Sequence, residues 1–135
     1  MNFRAVKVGV NGQAALQGEG LEVPGSEGVL SEAGAKRGQD VIMGIRPEDL
    51  KDARFPGRED LPKVRSKVEV TESMGSENFV YLNLGGKTLT SRMDPRSEDL
   101  KPGQTAEIAV DTQHIHLFDP KSEKALVSGG KPVQN

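Results

Sequence analysis

Alternation of apolar and polar residues marks short strands over the first part of this chain. Residues 6–10 alternate valine with lysine or glycine, which is the period-two pattern of a strand that buries one face. The Asn11-Gly12 pair that follows predicts a tight hairpin, because both residues tolerate a positive φ. Residues 14–16 and 21–23 then predict two short strands, and residues 40–46 predict a buried strand.

The chain is expected to divide into two β units. Residues 51–62 are rich in charged residues, proline and glycine, a composition typical of a connection. Short apolar runs resume after this segment, and the last residues are polar or small. The sequence therefore predicts a first β unit over residues 1–50, a connecting loop over 51–62, a second β unit over 63–127 and a flexible tail over 128–135.

The expected fold class is all-β. The chain holds 16 glycines and 8 prolines in 135 residues, which supplies turns for many short strands, and no useful stretch has the period of a helix. One helical turn is predicted after Pro95. Short strands at even spacing are typical of small barrels that are closed or nearly closed.

Composition narrows the classes of function. The net charge is −2 and aromatic residues make up 4% of the chain, so both the basic field and the stacking rings used in nucleic-acid binding are lacking. There is no cysteine, which excludes disulfides and thiol catalysis. No apolar run approaches the ~20 residues of a membrane span. We therefore expect a cytoplasmic protein that neither binds nucleic acid nor inserts into a membrane.

Motifs for catalysis or metal binding are weak. The run Gly85-Gly86-Lys87-Thr88 resembles the end of a phosphate-binding loop, but Tyr81 occupies the position of that motif's first glycine, so a hairpin turn is the better interpretation. His114 and His116 would share one face of a strand. A carboxylate would have to complete a metal site there, because no cysteine or third histidine exists. We therefore favour a structural or interface role for both histidines.

Two adjacent acidic pairs, Glu48-Asp49 and Glu98-Asp99, are interpreted as solvated loop charges. Neighbouring residues rarely converge on one substrate bond, and both pairs lie in polar segments. The sequence also lacks the Gly-x-Ser-x-Gly motif of a serine nucleophile. These observations predict a chain without a catalytic residue, a metal site or a cofactor.

Two further segments carry a stronger signal. Gly44-Ile45-Arg46-Pro47-Glu48 places a cation and an anion at the end of a strand, where the proline fixes the direction of the chain. Glu72-Ser73-Met74-Gly75-Ser76-Glu77 places two carboxylates and a hydroxyl around a glycine between two strands.

These two segments predict an interaction site rather than an ordinary turn. Gly75 is expected to adopt a backbone angle that other residues resist. The guanidinium of Arg46 offers a planar fork suited to a carboxylate. We therefore expect Arg46 to pair with Glu72 or Glu77, within the chain or across a dimer.

Four segments follow one another along the chain: Gly44-Ile45-Arg46-Pro47-Glu48, Glu72-x-Met74-Gly75-Ser76-Glu77, Leu100-Lys101-Pro102-Gly103-Gln104 and His116-Leu117-Phe118-Asp119. In this order and at this spacing they resemble the C-terminal regulatory region of the ATP-binding subunits of maltose-importer-type ABC sugar transporters. The resemblance spans about residues 1–127.

The resemblance implies an OB-like barrel fold of the transport-associated type and a role in pairing two ATPase subunits. It implies contact with the ATPase domain of the same subunit and with a regulatory protein, at the periphery of the inner membrane. The family's Walker A, signature and Walker B motifs are absent from this sequence, so no ATPase activity is expected. The residues marked as interface or motif positions are Gly44, Arg46, Pro47, Glu48, Glu72, Gly75, Ser76, Glu77, His116 and Phe118.

An alternative function is the binding of a small oxyanion or sugar, because related barrels of molybdate systems resemble this chain. An anion site needs converging backbone amides or basic side chains. The sequence shows no cluster of serine and lysine suited to that task, which favours the protein-interaction hypothesis.

Overall fold

The computed structural model describes residues 1–8, 16–18, 21–23, 38–84 and 86–133. The strands are β1 (Asn2–Val8), β2 (Leu16–Gly18), β3 (Leu21–Val23), β4 (Asp40–Ile45), β5 (Leu50–Asp52), β6 (Lys63–Ser73), β7 (Asn78–Leu84), β8 (Lys87–Met93), β9 (Thr105–Val110), β10 (His116–Phe118), β11 (Ala125–Ser128) and β12 (Lys131–Pro132). In these described ranges the strands are accompanied by three short 3-10 helices: Pro47–Asp49, Pro95–Asp99 and Thr112–His114. Among these residues no helix has the length and apolar character needed to cross a membrane.

The strands form two antiparallel sheets. The first sheet has seven strands in the order β12-β11-β10-β4-β1-β2-β3, and the second has five in the order β5-β9-β6-β7-β8. In the first sheet Val6 lies opposite Val41, and Leu117 lies opposite Met43. These four side chains are buried, whereas alternate residues of β1 are exposed. The period-two pattern of the sequence therefore corresponds to the two faces of this sheet.

The second sheet curls towards a closed barrel. The hydroxyl of Ser91 on the edge strand β8 donates a hydrogen bond to the carbonyl of Leu50 on the opposite edge strand β5. Both residues are buried. This contact brings the two edges together, which reduces the unpaired strand edge that would otherwise face other chains. The all-β, barrel-like fold class predicted from the sequence is confirmed.

Polar side chains of β1 join the first sheet to the second. The side-chain amide of Asn2 donates to the carbonyl of Thr90 (2.7 Å) and accepts from its backbone N–H (2.8 Å). Arg4 is buried and donates to the carbonyl of Leu84 at the end of β7. The buried apolar residues of both sheets form one cluster, so the two sheets share a core.

The two sheets do not correspond to the two β units expected from the sequence. β5 extends into the expected connecting loop and pairs with β9. β10 lies within the expected second unit, yet it pairs with β4 of the first sheet, and β11 and β12 extend that sheet. Residues 131–132 of β12 lie where a tail was expected. Alternation shows which face a strand buries but not which strand it pairs with. The Asn11-Gly12 hairpin lies outside the described residues.

Candidate functional site

Gly44 lies where β4 passes beneath a group of aromatic side chains. Phe3 on β1 and His116 on β10 are its neighbours in the sheet register. A Cβ atom at Gly44 would lie 2.8 Å from Met1 Sδ, 3.1 Å from Phe118 Cε2 and 3.4 Å from Phe3 Cε1. Glycine at this position therefore lets the rings close over the strand.

These side chains make an apolar patch on the outer face of the first sheet. Met1 is 48% exposed and Phe3 is 57% exposed, and the rings of Phe3 and Phe118 lie 6.1 Å apart between centroids. Ile42 lines a cavity of about 350 Å³ together with both rings. We call Met1, Phe3, Ile42, Gly44 and Phe118 the outer patch. Contiguous exposed apolar side chains of this kind are typical of a surface that binds a partner.

His116 flanks the outer patch. Its ring lies nearly parallel to that of Phe118, with centroids 6.3 Å apart and an interplanar angle of 14°. Its Nδ1 accepts a hydrogen bond from the amide of Gly129 (3.3 Å). His114 does not share this face, because it ends the 3-10 helix Thr112–His114 before β10 begins. The expectation that both histidines lie on one face of a strand is wrong.

Arg46, Pro47 and Glu48 carry the chain from the first sheet into the second. Arg46 is extended, and Pro47 begins the 3-10 helix, as its fixed φ favours. Arg46 and Glu48 are exposed. Within the part of the chain that the structure describes, the guanidinium of Arg46 forms no salt bridge.

Gly75 lies in the hairpin that joins β6 to β7. The amide of Met74 donates to the carbonyl of Glu77 (2.8 Å), and the amide of Ser76 donates to the carbonyl of Met74 (3.1 Å). Gly75 has a φ of 82°, which is the left-handed conformation that its position predicts. A Cβ atom there would have no neighbour within 4 Å, so the backbone angle alone favours glycine.

Each glutamate of this hairpin has a partner on the second sheet. Glu77 Oε2 lies 3.1 Å from Arg92 Nε. The charge of Glu72, which accepts a hydrogen bond from the Tyr81 hydroxyl, raises the pKa of that tyrosine. The predicted pair between Arg46 and a glutamate is absent from the described residues of the single chain. A pair between Arg46 and one of these glutamates in a second copy of the chain stays a prediction.

Asp49 is buried, which corrects the expectation of a solvated loop charge. The 3-10 helix Pro47–Asp49 leaves Glu48 exposed, whereas Asp49 is 7% exposed. His114 Nδ1 lies 3.6 Å from Asp49 Oδ1 and 3.1 Å from Asp111 Oδ2. Lys51 Nζ lies 3.3 Å from the same oxygen of Asp111. Sequence reasoning missed this group because its members are brought together only by the fold.

A second buried carboxylate, Asp52, is 3% exposed. It accepts hydrogen bonds from the amide (3.0 Å), Nε (3.0 Å) and Nη2 (2.7 Å) of Arg54 and from the Ser97 hydroxyl (2.9 Å). Arg54 also binds the exposed carboxylate of Asp99 (2.7 Å). This network ties the start of the 51–62 segment to the 3-10 helix Pro95–Asp99.

Comparison with known proteins shows the family. Residues 43–118 match the TOBE domain, and residues 1–50 match the MalK OB fold domain. The trehalose/maltose import ATP-binding protein MalK of Thermococcus litoralis is 42% identical over 103 residues, which cover 73% of this chain and 26% of that protein. The sulfoquinovosyl glycerol transport ATP-binding protein SmoE of Agrobacterium fabrum is 33% identical over 126 residues, which cover 93% of this chain and 33% of that protein.

The chain belongs to the TOBE domain family, and the resemblance drawn from its motifs is confirmed. It spans about a quarter to a third of the length of these relatives, and the matched domains do not include an ATPase domain. A structure of the cytoplasmic molybdate-binding protein ModG with molybdate bound has a TM-score of 0.64 at 18% identity, covering 88% of this chain and 96% of that one. At this identity the likeness concerns the fold alone.

Proposed function

We propose that this chain is the regulatory and dimerisation region of the ATP-binding subunit of a carbohydrate ABC importer, and that it acts through protein–protein contacts. The outer patch carries the proposal, because Gly44 and Phe118 of two family-type segments meet there beside the exposed Phe3. The partners are a second copy, the ATPase domain of the same subunit and a regulatory protein. The location is the cytoplasmic side of the inner membrane. The relatives, which are import or transport ATP-binding proteins, support this class of transporter.

The surroundings of the outer patch have the anatomy of an interface. Lys7 and Asp40 lie on the same outer face and pair at 3.0 Å, with side chains 62% and 68% exposed. An apolar centre with a polar rim is the usual arrangement of a protein–protein contact. In a two-fold contact the same patch is used by both copies, so each exposed ring contributes twice.

The size of the outer patch predicts weak association of the chain on its own. A stable interface buries about 800 Å² on each partner, which is more than five side chains supply. The remaining contact area comes from the rest of the transporter subunit. The isolated chain is therefore expected to dimerise only at high concentration.

Sedimentation velocity over a range of concentrations tests this proposal. Phe3→Ser removes an exposed ring from the outer patch, and Val70→Ser is the matched control because Val70 is 47% exposed on β6 of the second sheet. Burial of a phenylalanine side chain is worth about 1.5–3 kcal/mol, so Phe3→Ser should weaken association at least about tenfold. Equal association by the two variants, or a parent that stays monomeric, would contradict the proposal. Heat on titration with molybdate would instead support the small-ligand alternative.

A further inference from the structure

Asp49, Asp111 and His114 form a compact cluster where the chain crosses between the sheets. Asp49 lies between β4 of the first sheet and β5 of the second, and the other two lie between β9 and β10, where the chain returns. The amide of Asp111 donates to the carbonyl of Asp49 (2.9 Å), which holds the two connections together. The three side chains offer one imidazole nitrogen and two carboxylate oxygens, all within 4.8 Å of one another.

The spacing of these atoms suits a bound metal ion. Bonds of about 2.0–2.2 Å from Zn²⁺ to nitrogen and oxygen place two ligands of a tetrahedral site about 3.3 Å apart. His114 Nδ1 lies 3.1 Å from Asp111 Oδ2 and 3.6 Å from Asp49 Oδ1. An ion can therefore bind between the three atoms after only small side-chain shifts.

The carboxylate of Asp49 independently points to a ligand. Its side chain is 10% exposed, and no hydrogen bond reaches it from the residues that the structure describes. Its contact with His114, at 3.6 Å, is too long for a hydrogen bond. Buried carboxylates are normally hydrogen-bonded, paired or bound to a metal. The ion pair of Asp49 with His114 is long, and a cation between the two side chains would contact both at bonding distance.

We propose that Asp49, Asp111 and His114 bind a divalent first-row transition-metal ion such as Zn²⁺, with water completing the coordination. An imidazole ligand favours such ions over Mg²⁺ and Ca²⁺, which prefer oxygen ligands alone. His114 is 59% exposed, so the open side of the site faces solvent, and the ion clamps the two connections between the sheets. Lys51 competes with the metal ion, because its ammonium group pairs with the carboxylate of Asp111 in the metal-free chain.

Thermal unfolding and calorimetric titration with ZnCl₂ test this site on the full chain, without a histidine tag and freed of metal by a chelator. We expect Zn²⁺ to raise the melting temperature in a concentration-dependent way, because a ligand that binds only the folded state stabilises it. Mg²⁺ should have no such effect. His114→Asn should weaken Zn²⁺ binding at least tenfold, whereas the matched control His116→Asn should leave it unchanged.

Lys51→Met should have the opposite effect to His114→Asn. Because it removes the competing cation, it should tighten Zn²⁺ binding severalfold. His114 is exposed, so His114→Asn is expected to fold even if substitutions of the buried aspartates do not. The proposal is overturned if the parent chain shows no heat with Zn²⁺, if His114→Asn and His116→Asn bind equally well, or if Lys51→Met binds more weakly than the parent.

Discussion

Asp49 and Asp52 lie close together in the chain and are both buried, yet the fold shifts their pKa values in opposite directions. For Asp52, burial acts to raise the pKa, but the hydrogen bonds from Arg54 and Ser97 outweigh it and hold that pKa below its usual range. For Asp49, burial is the largest cause and raises the pKa. The charge of His114 opposes it in part, but no hydrogen bond from the described residues does. The number of donors, more than the degree of burial, therefore decides whether a buried charge stabilises the chain.

The two pKa shifts differ because the groups that contact Asp49 and Asp52 come from different parts of the chain. Asp52 ends β5, and the turn that follows places the amide and guanidinium of Arg54 on its carboxylate. Asp49 depends on groups from the connection between β9 and β10, which supplies a second carboxylate and one imidazole. Asp52 is thus a structural anchor, whereas Asp49 is left for a cation from solution.

The largest effect is expected for Asp52→Ala. The substitution leaves the hydroxyl of Ser97, which is fully buried, without its acceptor, and it removes the carboxylate that holds Arg54. Hydrogen bonds to charged groups are worth about 1.5–3 kcal/mol, and we expect a loss of unfolding free energy in that range. Chemical denaturation at neutral pH measures it, with the exposed Asp60→Ala as control. Equal stability of the two variants would show that the network contributes nothing.

The same network predicts that the folded chain loses stability at acid pH. Because the folded pKa of Asp52 lies below its unfolded value, its contribution is fully present above that unfolded value and is lost as the pH falls through the lower, folded pKa. The stability difference between the parent and Asp52→Asn should therefore be constant near neutral pH and shrink below about pH 4. Denaturant midpoints measured across this range test the prediction. A difference that does not change with pH would assign the effect of the substitution to packing instead of charge.

Arg54→Lys should have a smaller effect. Lysine keeps the positive charge but cannot reproduce the planar fork that binds Asp52 and Asp99 together. Arg54 is 44% exposed, so water replaces part of the lost hydrogen bonding. We expect the unfolding free energy to fall by about 0.5–1.5 kcal/mol. Arg65→Lys, at an exposed position of β6, is the matched control. A cost no greater than that of the control would show that only the charge of Arg54 matters.

Local sequence signals predicted most of the strands, the buried face of β1 and one special backbone angle. The valines of β1 bury one face, and Gly75 adopts the expected positive φ. These features depend on neighbouring residues alone, which is why the sequence shows them. The predicted helical turn after Pro95 is also present, as the 3-10 helix Pro95–Asp99.

Features that depend on distant residues were not predictable in the same way. Nothing in residues 116–118 indicates that they pair with β4 instead of with the second sheet. Asp49 and Glu48 are adjacent acids in one polar segment, and only the direction of the 3-10 helix decides that one is buried and the other exposed. Of the outer patch, the family-type motifs marked Gly44 and Phe118, together with the flanking His116, but not the exposed Phe3.

The smallest effect is expected for Asp49→Asn without added metal. Because the folded pKa of Asp49 is raised, the folded chain binds the proton more tightly than the unfolded chain, and the ionised carboxylate costs stability above that pKa. The amide has the same shape without the charge, so near neutral pH the variant should be as stable as the parent or more stable by up to about 0.5 kcal/mol. Below about pH 4 the parent's carboxyl is protonated too, and the difference should vanish. Paired denaturation experiments in chelator measure both values. A marked loss of stability at neutral pH would mean that Asp49 is hydrogen-bonded as Asp52 is, and the contrast between the two would fail.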